Sequence, residues 1–250
     1  MATAIRANPH TAPAPPPGRH PHGDPGHGPL PPLLLALTAV TGLVDAVSVL
    51  RLGRVFVANM TGNVVFTGFA ITGAPGFSLS ASLFALTGFL AGASTGGAMA
   101  SRAGRDRALL LLSAAASELA LVIAAVAVAA TAATLDGASR DILAALLAVA
   151  MGIQNAAARK LAVPDLTTTV LTMTLTGIAA DLRARKPGPA LPRRLLAVAT
   201  MLTGAAAGAL LVQRISPAAA LGLAAGLLAA VTAAAALTTR RPGSWRQSTQ

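Results

Sequence analysis

Two acidic residues fall inside apolar runs of this chain, Asp45 and Glu118. A carboxyl group at the centre of a membrane-spanning helix costs on the order of 3 kcal/mol to insert, so each needs a partner, water or a proton path. For Asp45 the sequence leaves two readings open. One is an ion pair with Arg51 or Arg54 further along the helix; the other is a group that binds a cation, a proton or a polar solute. Glu118 has no basic residue within a helical turn or two. It is either a protonated hydrogen-bonding group between helices or a step in a proton relay.

The next polar groups come in two matching places. Asn59, Thr61, Gly62 and Asn63 follow Asp45, and Asp165, Thr167, Thr168 and Thr169 follow the pair Gln154 and Asn155 at the same distance. Gly, Asn and Thr loosen a helix, because Gly gains backbone freedom and the others can satisfy freed backbone groups. Pro164, Asp165 and Thr167 read as a helix start, with Pro and oxygen-bearing side chains beside unpaired amides. Broken helices at corresponding places in two halves of a chain are the sequence sign of a transporter's binding site. The same polar helix ends could serve as internal glue between helices. Since Asn155 stands where Asp45 stands in the first half, only the first half brings an ionisable group to such a site.

Other chemistry has no footing in the sequence. There is no Cys, so no disulfide or thiolate site. The four His residues, His10, His20, His22 and His27, all lie in the N-terminal tail, where a solvated tail is the default over a metal site. No Gly-rich phosphate loop with its Lys and no nucleophile-base arrangement is present, so neither catalysis nor a cofactor is expected. The Asn59, Met60, Thr61 glycosylation pattern lies within an apolar run and is incidental.

These groups must be positioned by a membrane protein. The 250 residues are 54% hydrophobic and only 11% charged, against roughly 25% charged in soluble domains. The formal charge of +11 sits in short segments between apolar runs, which points to membrane topology rather than nucleic acid. Residues 1–29 form a Pro-, Gly- and His-rich tail that is expected to be disordered, and 240–250 form a short basic tail. Between them, the runs at about 31–50, 55–73, 79–100, 108–134, 142–158, 164–182, 194–213 and 217–238 predict about eight transmembrane helices. The second and sixth are interrupted by polar residues. If either is re-entrant, the count of crossings falls to six or seven.

The predicted fold is therefore an all-α polytopic bundle, with its transmembrane domain over 30–239. An offset of 110 residues aligns Gly42 to Ala46 with Gly152 to Ala156; an offset of 109 aligns Thr67 to Ala70 with Thr176 to Ala179. At 112, Gly92, Gly96 and Arg102 meet Gly204, Gly208 and Arg214. This predicts two four-helix repeats, about 31–134 and 142–238, which an even number of crossings would make parallel. Gly88, Gly92, Gly96, Gly204 and Gly208 recur every fourth position and are expected to pack helices closely, with pore lining as the alternative. With eight crossings, Arg140, the 183–194 cluster and the C-terminal arginines share the side of the termini. Arg51, Arg54, Arg102, Arg105, Arg107, Arg159, Lys160 and Arg214 take the other side. Setting aside those that flank the polar runs leaves the termini cytoplasmic.

The stretch from Gly42 to Ala46 and from Gly53 to Asn63, with Gly152 to Ala156 and Val163 to Thr169, resembles the YoaK-like family of bacterial multi-pass membrane proteins. The resemblance runs over about 31–238, and Val57-Ala58-Asn59-Met60-Thr61-Gly62-Asn63 is its most specific part. It implies a multi-pass protein of the bacterial inner membrane and no particular substrate. From the residues themselves, the expected function is a secondary transporter or permease for a small solute. Asp45, Asn59, Thr61, Gly62, Asn63, Glu118, Gln154, Asn155, Asp165, Thr167, Thr168 and Thr169 would line the pathway, with proton coupling through Asp45 or Glu118. The partners are the lipid bilayer and that solute. The alternative is a non-transporting scaffold or sensor subunit.

Overall fold

The computed structural model describes residues 27–163, 171–183, 190–240 and 244–246, and they form no strand. In chain order the helices are α1 (Leu30–Arg51), α2 (Met60–Ile71), α3 (Leu79–Ala103), α4 (Arg107–Thr131), α5 (Gly137–Leu161), α6 (Leu171–Arg183), α7 (Leu191–Arg214) and α8 (Pro217–Thr239). A single 3-10 turn follows at Ser244–Arg246. Side chains mark several starts. Ser78 accepts from the Ala81 N–H (3.2 Å), Asp106 from Ala108 and Leu109 (3.0 and 3.1 Å), and Ser216 from Ala219 (3.1 Å). Proline opens α1, α7 and α8, where its missing N–H costs nothing.

Six of these helices are long and apolar enough to cross a membrane. At 1.5 Å per residue the 22 to 25 residues of α1, α3, α4, α5, α7 and α8 give roughly 33–37 Å, more than the ~30 Å hydrocarbon core. With 12 and 13 residues, α2 and α6 reach only about 18–20 Å and cannot cross alone. The second predicted run is shortened because Val55 to Asn59 are not helical. The predicted helix start at Pro164 lies outside the described residues.

Contacts at the helix ends fix the directions. The Ser78 N–H donates to the Gly53 carbonyl (3.4 Å), and Ser80 donates to Asp141 (3.1 Å). The C-terminal end of α1 therefore lies beside the starts of α3 and α5, and the chain from Leu52 to Ser78 leaves and returns on one side. At the opposite end Arg107, which opens α4, donates to the carbonyl of Leu161, which closes α5. Consequently α1 and α5 run in opposite directions. The parallel relation expected from four crossings is corrected, because α2 does not contribute one. Each four-helix segment holds three helices long and apolar enough to cross.

Lateral packing pairs α1 with α7 and α8, α5 with α3 and α4, and α4 with α8. Two crossings match position for position. Gly42 lies against Gly204 and Ala205, and Gly208 against Leu43 and Ala46; Gly152 lies against Gly92 and Ala93, and Gly96 against Ile153 and Ala156. Gly88 rests on Ala145. At these sites backbones touch directly, which only glycine permits. Large side chains such as Leu90, Leu202, Leu210 and Ile123 remain exposed on the outer faces, as a lipid-facing surface requires.

This course re-sorts the cations. Arg102, Arg105, Arg107, Arg159, Lys160, Arg183, Arg193, Arg194, Arg240 and Arg246 share the end that holds the start of α1 and the end of α8. Only Arg51, Arg54, Arg140 and Arg214 lie at the other end among the described residues. Arg140 thus leaves the side of the termini, and the α3–α4 turn and the end of α5 join it.

The residues just before α1 and just after α8 are clipped together there. Trp245 packs against Gly28, and Arg246 bonds the Thr239 carbonyl (3.0 Å) and Asp106 (2.5 Å). Partial burial pushes the Asp106 carboxyl up, but Arg246 and the α4 amides outweigh it and hold the group below the ordinary carboxylate range. A lowered acid stabilises the clip above its ordinary range, and that contribution is lost as pH falls through the lowered value, below the usual ~3.9. Trp245 is the single Trp of the chain, so its fluorescence reports the clip. Arg246→Gln at neutral pH, or acidification of the wild type, is expected to shift its emission to the red. An unchanged spectrum in both would contradict the clip.

Candidate functional site

The segment between α1 and α2 is non-helical backbone inside the protein, with Val55, Val57 and Ala58 buried, and two side chains hold it. Asp45 accepts from the Val57 N–H (3.4 Å) and from that of Ala58. Its carboxylate is buried and pairs with no arginine among the described residues. The ion pair with Arg51 or Arg54 that the sequence allows is not made; backbone amides take its place. Asn63, fully buried in α2, accepts from the Phe56 N–H (2.8 Å) and donates to the Phe56 carbonyl. One amide side chain thereby satisfies both backbone groups of Phe56, as a strand partner would. Gly62 leaves room for the Phe56 ring, which a Cβ would meet at 2.6 Å.

These bonds place the start of α2 deep in the bundle. Asp45 lies six residues before the end of α1, about 9 Å from it along the axis. Phe89, the eleventh residue of α3, lies about 15 Å from that helix's start. Ala58, Asn59, Met60, Thr61 and Gly62 meet Phe89 around a cavity of about 640 Å³, completed by Val65, Phe66, Leu171 and Thr172. The start of α2 and the first described turn of α6 therefore face one space near mid-depth. From there α2 returns toward Ser78, while α6 runs to the opposite end, where Asp181 pairs with Arg194 (2.9 Å).

Among the sequence-derived candidates, Asn59, Thr61 and Gly62 line this cavity. Asn59 precedes α2 without its side chain capping it. Asp45 reaches the wall only through the backbone it holds, and Asn63 is committed to Phe56. Gln154 crosses from α5 to α1 and donates to Thr41 (2.8 Å), both buried, while Asn155 donates to the Met151 carbonyl (2.8 Å). Glu118 is wholly buried in α4. None of these three lines the cavity. Asp165, Thr167, Thr168 and Thr169 lie outside the described residues.

An aromatic cluster, of which Phe66 lines the cavity, was missed by a reading confined to polar residues. Phe56, Phe66, Phe69 and Phe77 pack together with ring centroids 5.1 to 6.3 Å apart. The signal was available, since all six Phe of the chain lie between positions 56 and 89. Such clustering in a chain with 3% aromatics marks a local, specialised structure.

A family described as "Protein of unknown function (DUF1275)" matches residues 33–234. The chain belongs to this DUF1275 family. The UPF0700 transmembrane protein YoaK of Bacillus subtilis (strain 168) is 39% identical to it over 153 residues, 61% of this chain and 66% of that protein. The alignment thus spans just under two thirds of the relative's length. No solved structure matches the chain. The DUF1275 match covers all eight helices except their outermost residues, and a multi-pass membrane protein is what both the fold and the relative support.

Proposed function

We propose that this DUF1275 protein is a secondary transporter or permease for a small solute in the bacterial cytoplasmic membrane. The observation that carries the reading is the mid-depth cavity walled by the non-helical lead-in and first turn of α2. Irregular backbone is tolerated at membrane depth only where protein buries it or where it lines a water-filled cavity. Here Asp45 and Asn63 bury one side of the segment, and Asn59 and Thr61 are exposed on the other. The first amides of α2 have no partner within the helix, so the cavity wall offers hydrogen-bond donors to a solute.

The matched glycine crossings support a duplicated unit of three crossings and one short helix, the two copies inverted. In that arrangement solute sites lie at the interface near the midplane. The concentration of cations at the end holding both termini supports a cytoplasmic location for that end. The coupling step in this reading is protonation of Asp45, which weakens its hold on the amides of Val57 and Ala58 and frees the cavity wall.

The test is a solute screen in proteoliposomes with wild type and Thr61→Trp, which fills the cavity from an exposed position. Uptake by the wild type should fall at least tenfold in the variant. Wild-type vesicles that take up nothing across amino acids, organic acids, sugars and ions would favour a scaffold or sensor subunit.

A further inference from the structure

The end of the bundle opposite the termini carries a second cleft, of about 480 Å³, lined by Gly53, Gly76, Phe77, Ser78 and Arg140. It is separate from the mid-depth cavity and shares no lining residue with it. Three chain segments meet there: the turn after α1, the turn before α3 and the first turn of α5. Of the four described cations of this end, Arg54 and Arg140 belong to those segments and Arg51 closes α1 beside them.

We infer that this cleft binds a small organic carboxylate. Arg54 stands in a left-handed backbone conformation, with φ of 57°, where glycine would be the unstrained choice and a long side chain costs of order 1 kcal/mol. Its guanidinium lies 5.5 Å from the centroid of the Phe77 ring and against Gly76, which at φ of 85° leaves room for it. The cation is thus held at the rim by stacking. No carboxylate pairs with it among the described residues.

Arg140 supplies the second guanidinium. Asp141 takes its Nε at 3.2 Å and Ser80 one terminal nitrogen at 3.2 Å. Asp136, the other acid of this end, accepts from Thr134. Arg51, Arg54 and Arg140 against Asp136 and Asp141 leave the mouth net positive. Planar guanidinium groups suit carboxylate oxygens, while Phe77 and the bare glycine backbones accept an apolar body. The volume falls within the usual range for small-molecule sites, roughly 300–1,000 Å³.

The test titrates the purified full chain, in neutral detergent, with benzoate and with its uncharged analogue benzamide by calorimetry. Benzoate should bind saturably and benzamide should not. Arg54→Gln, at an exposed position, and Arg140→Gln should each weaken benzoate at least tenfold with unchanged thermal unfolding in the Arg54 variant. Absence of saturable benzoate binding, equal binding of benzamide, or indifference to both substitutions overturns the site. Displacement of benzoate by phosphatidylglycerol at equal charge would overturn it as well, assigning the guanidiniums to lipid headgroups. The inference does not rest on transport: benzoate binding without any uptake would refute the permease and leave this cleft standing, and uptake without benzoate binding would do the reverse.

Discussion

Gly92→Leu is expected to abolish the folded protein. A Cβ at Gly92 would lie 2.1 Å from the Val149 carbonyl oxygen, and its neighbours across the crossing are backbone atoms of α5. Backbone cannot turn aside as a flexible side chain can, so α3 and α5 must separate along a shared face that includes Gly88 and Gly96. Ordinary overpacking costs about 1–3 kcal/mol, and a collision with backbone in two packed helices should exceed that range. Gly204→Leu meets Ala39 in the same way at 2.4 Å and should behave alike. Gly97→Leu, with nothing within 4 Å of its Cβ position, is the control and should melt within about 0.5 kcal/mol of the wild type, as exposed changes do. Detergent thermal unfolding and membrane expression check the series. A well-folded Gly92→Leu protein would mean that α3 and α5 do not cross as described.

Asp45→Ala should destabilise the protein by about 2–6 kcal/mol, because two buried amides lose their acceptor and each orphan costs roughly 1–3 kcal/mol. Asp45→Asn keeps one acceptor oxygen and should cost less than half as much. Hydrogen exchange locates the effect: protection of the Val57 and Ala58 amides should fall at least tenfold in the Ala variant and little in the Asn variant. In the permease reading, the Asn variant also loses the pH dependence of uptake while retaining flux, since an amide has no proton to gain or lose there. Equal protection in all three proteins would remove Asp45 from the support of α2.

The resemblance of the segment from Val57 to Asn63 to its family was legible at once, but the job of its residues was not. Asn59 and Asn63 look alike in sequence. Yet Asn63 closes a ring with Phe56 seven residues back, while Asn59 faces the cavity. A side chain's choice between backbone and solvent depends on where the chain turns, and no periodicity records it. The ion pair allowed for Asp45 failed for the same reason. Arg54 is close in sequence, but the left-handed turn carries it away to Phe77 at the rim.

By itself the sequence determined the membrane class, the apolar runs, the matched polar interruptions and the glycines four apart, because each is set by local composition or spacing. It also flagged the second and sixth runs as the weak ones. Tertiary structure decided that α2 is short and returns to its starting side. Because α2 returns, α3, α4 and α5 run opposite to the predicted direction and the short α6 restores that of α7 and α8, so parallel units became opposed ones and Arg140 exchanged ends with Arg159 and Lys160. Hydropathy measures whether a segment can sit in lipid, which a half-length helix with a non-helical lead-in satisfies as well as a full one. Tertiary contacts such as the bond from Ser78 to Gly53 and the grip of Asp45 on Val57 tell the two apart.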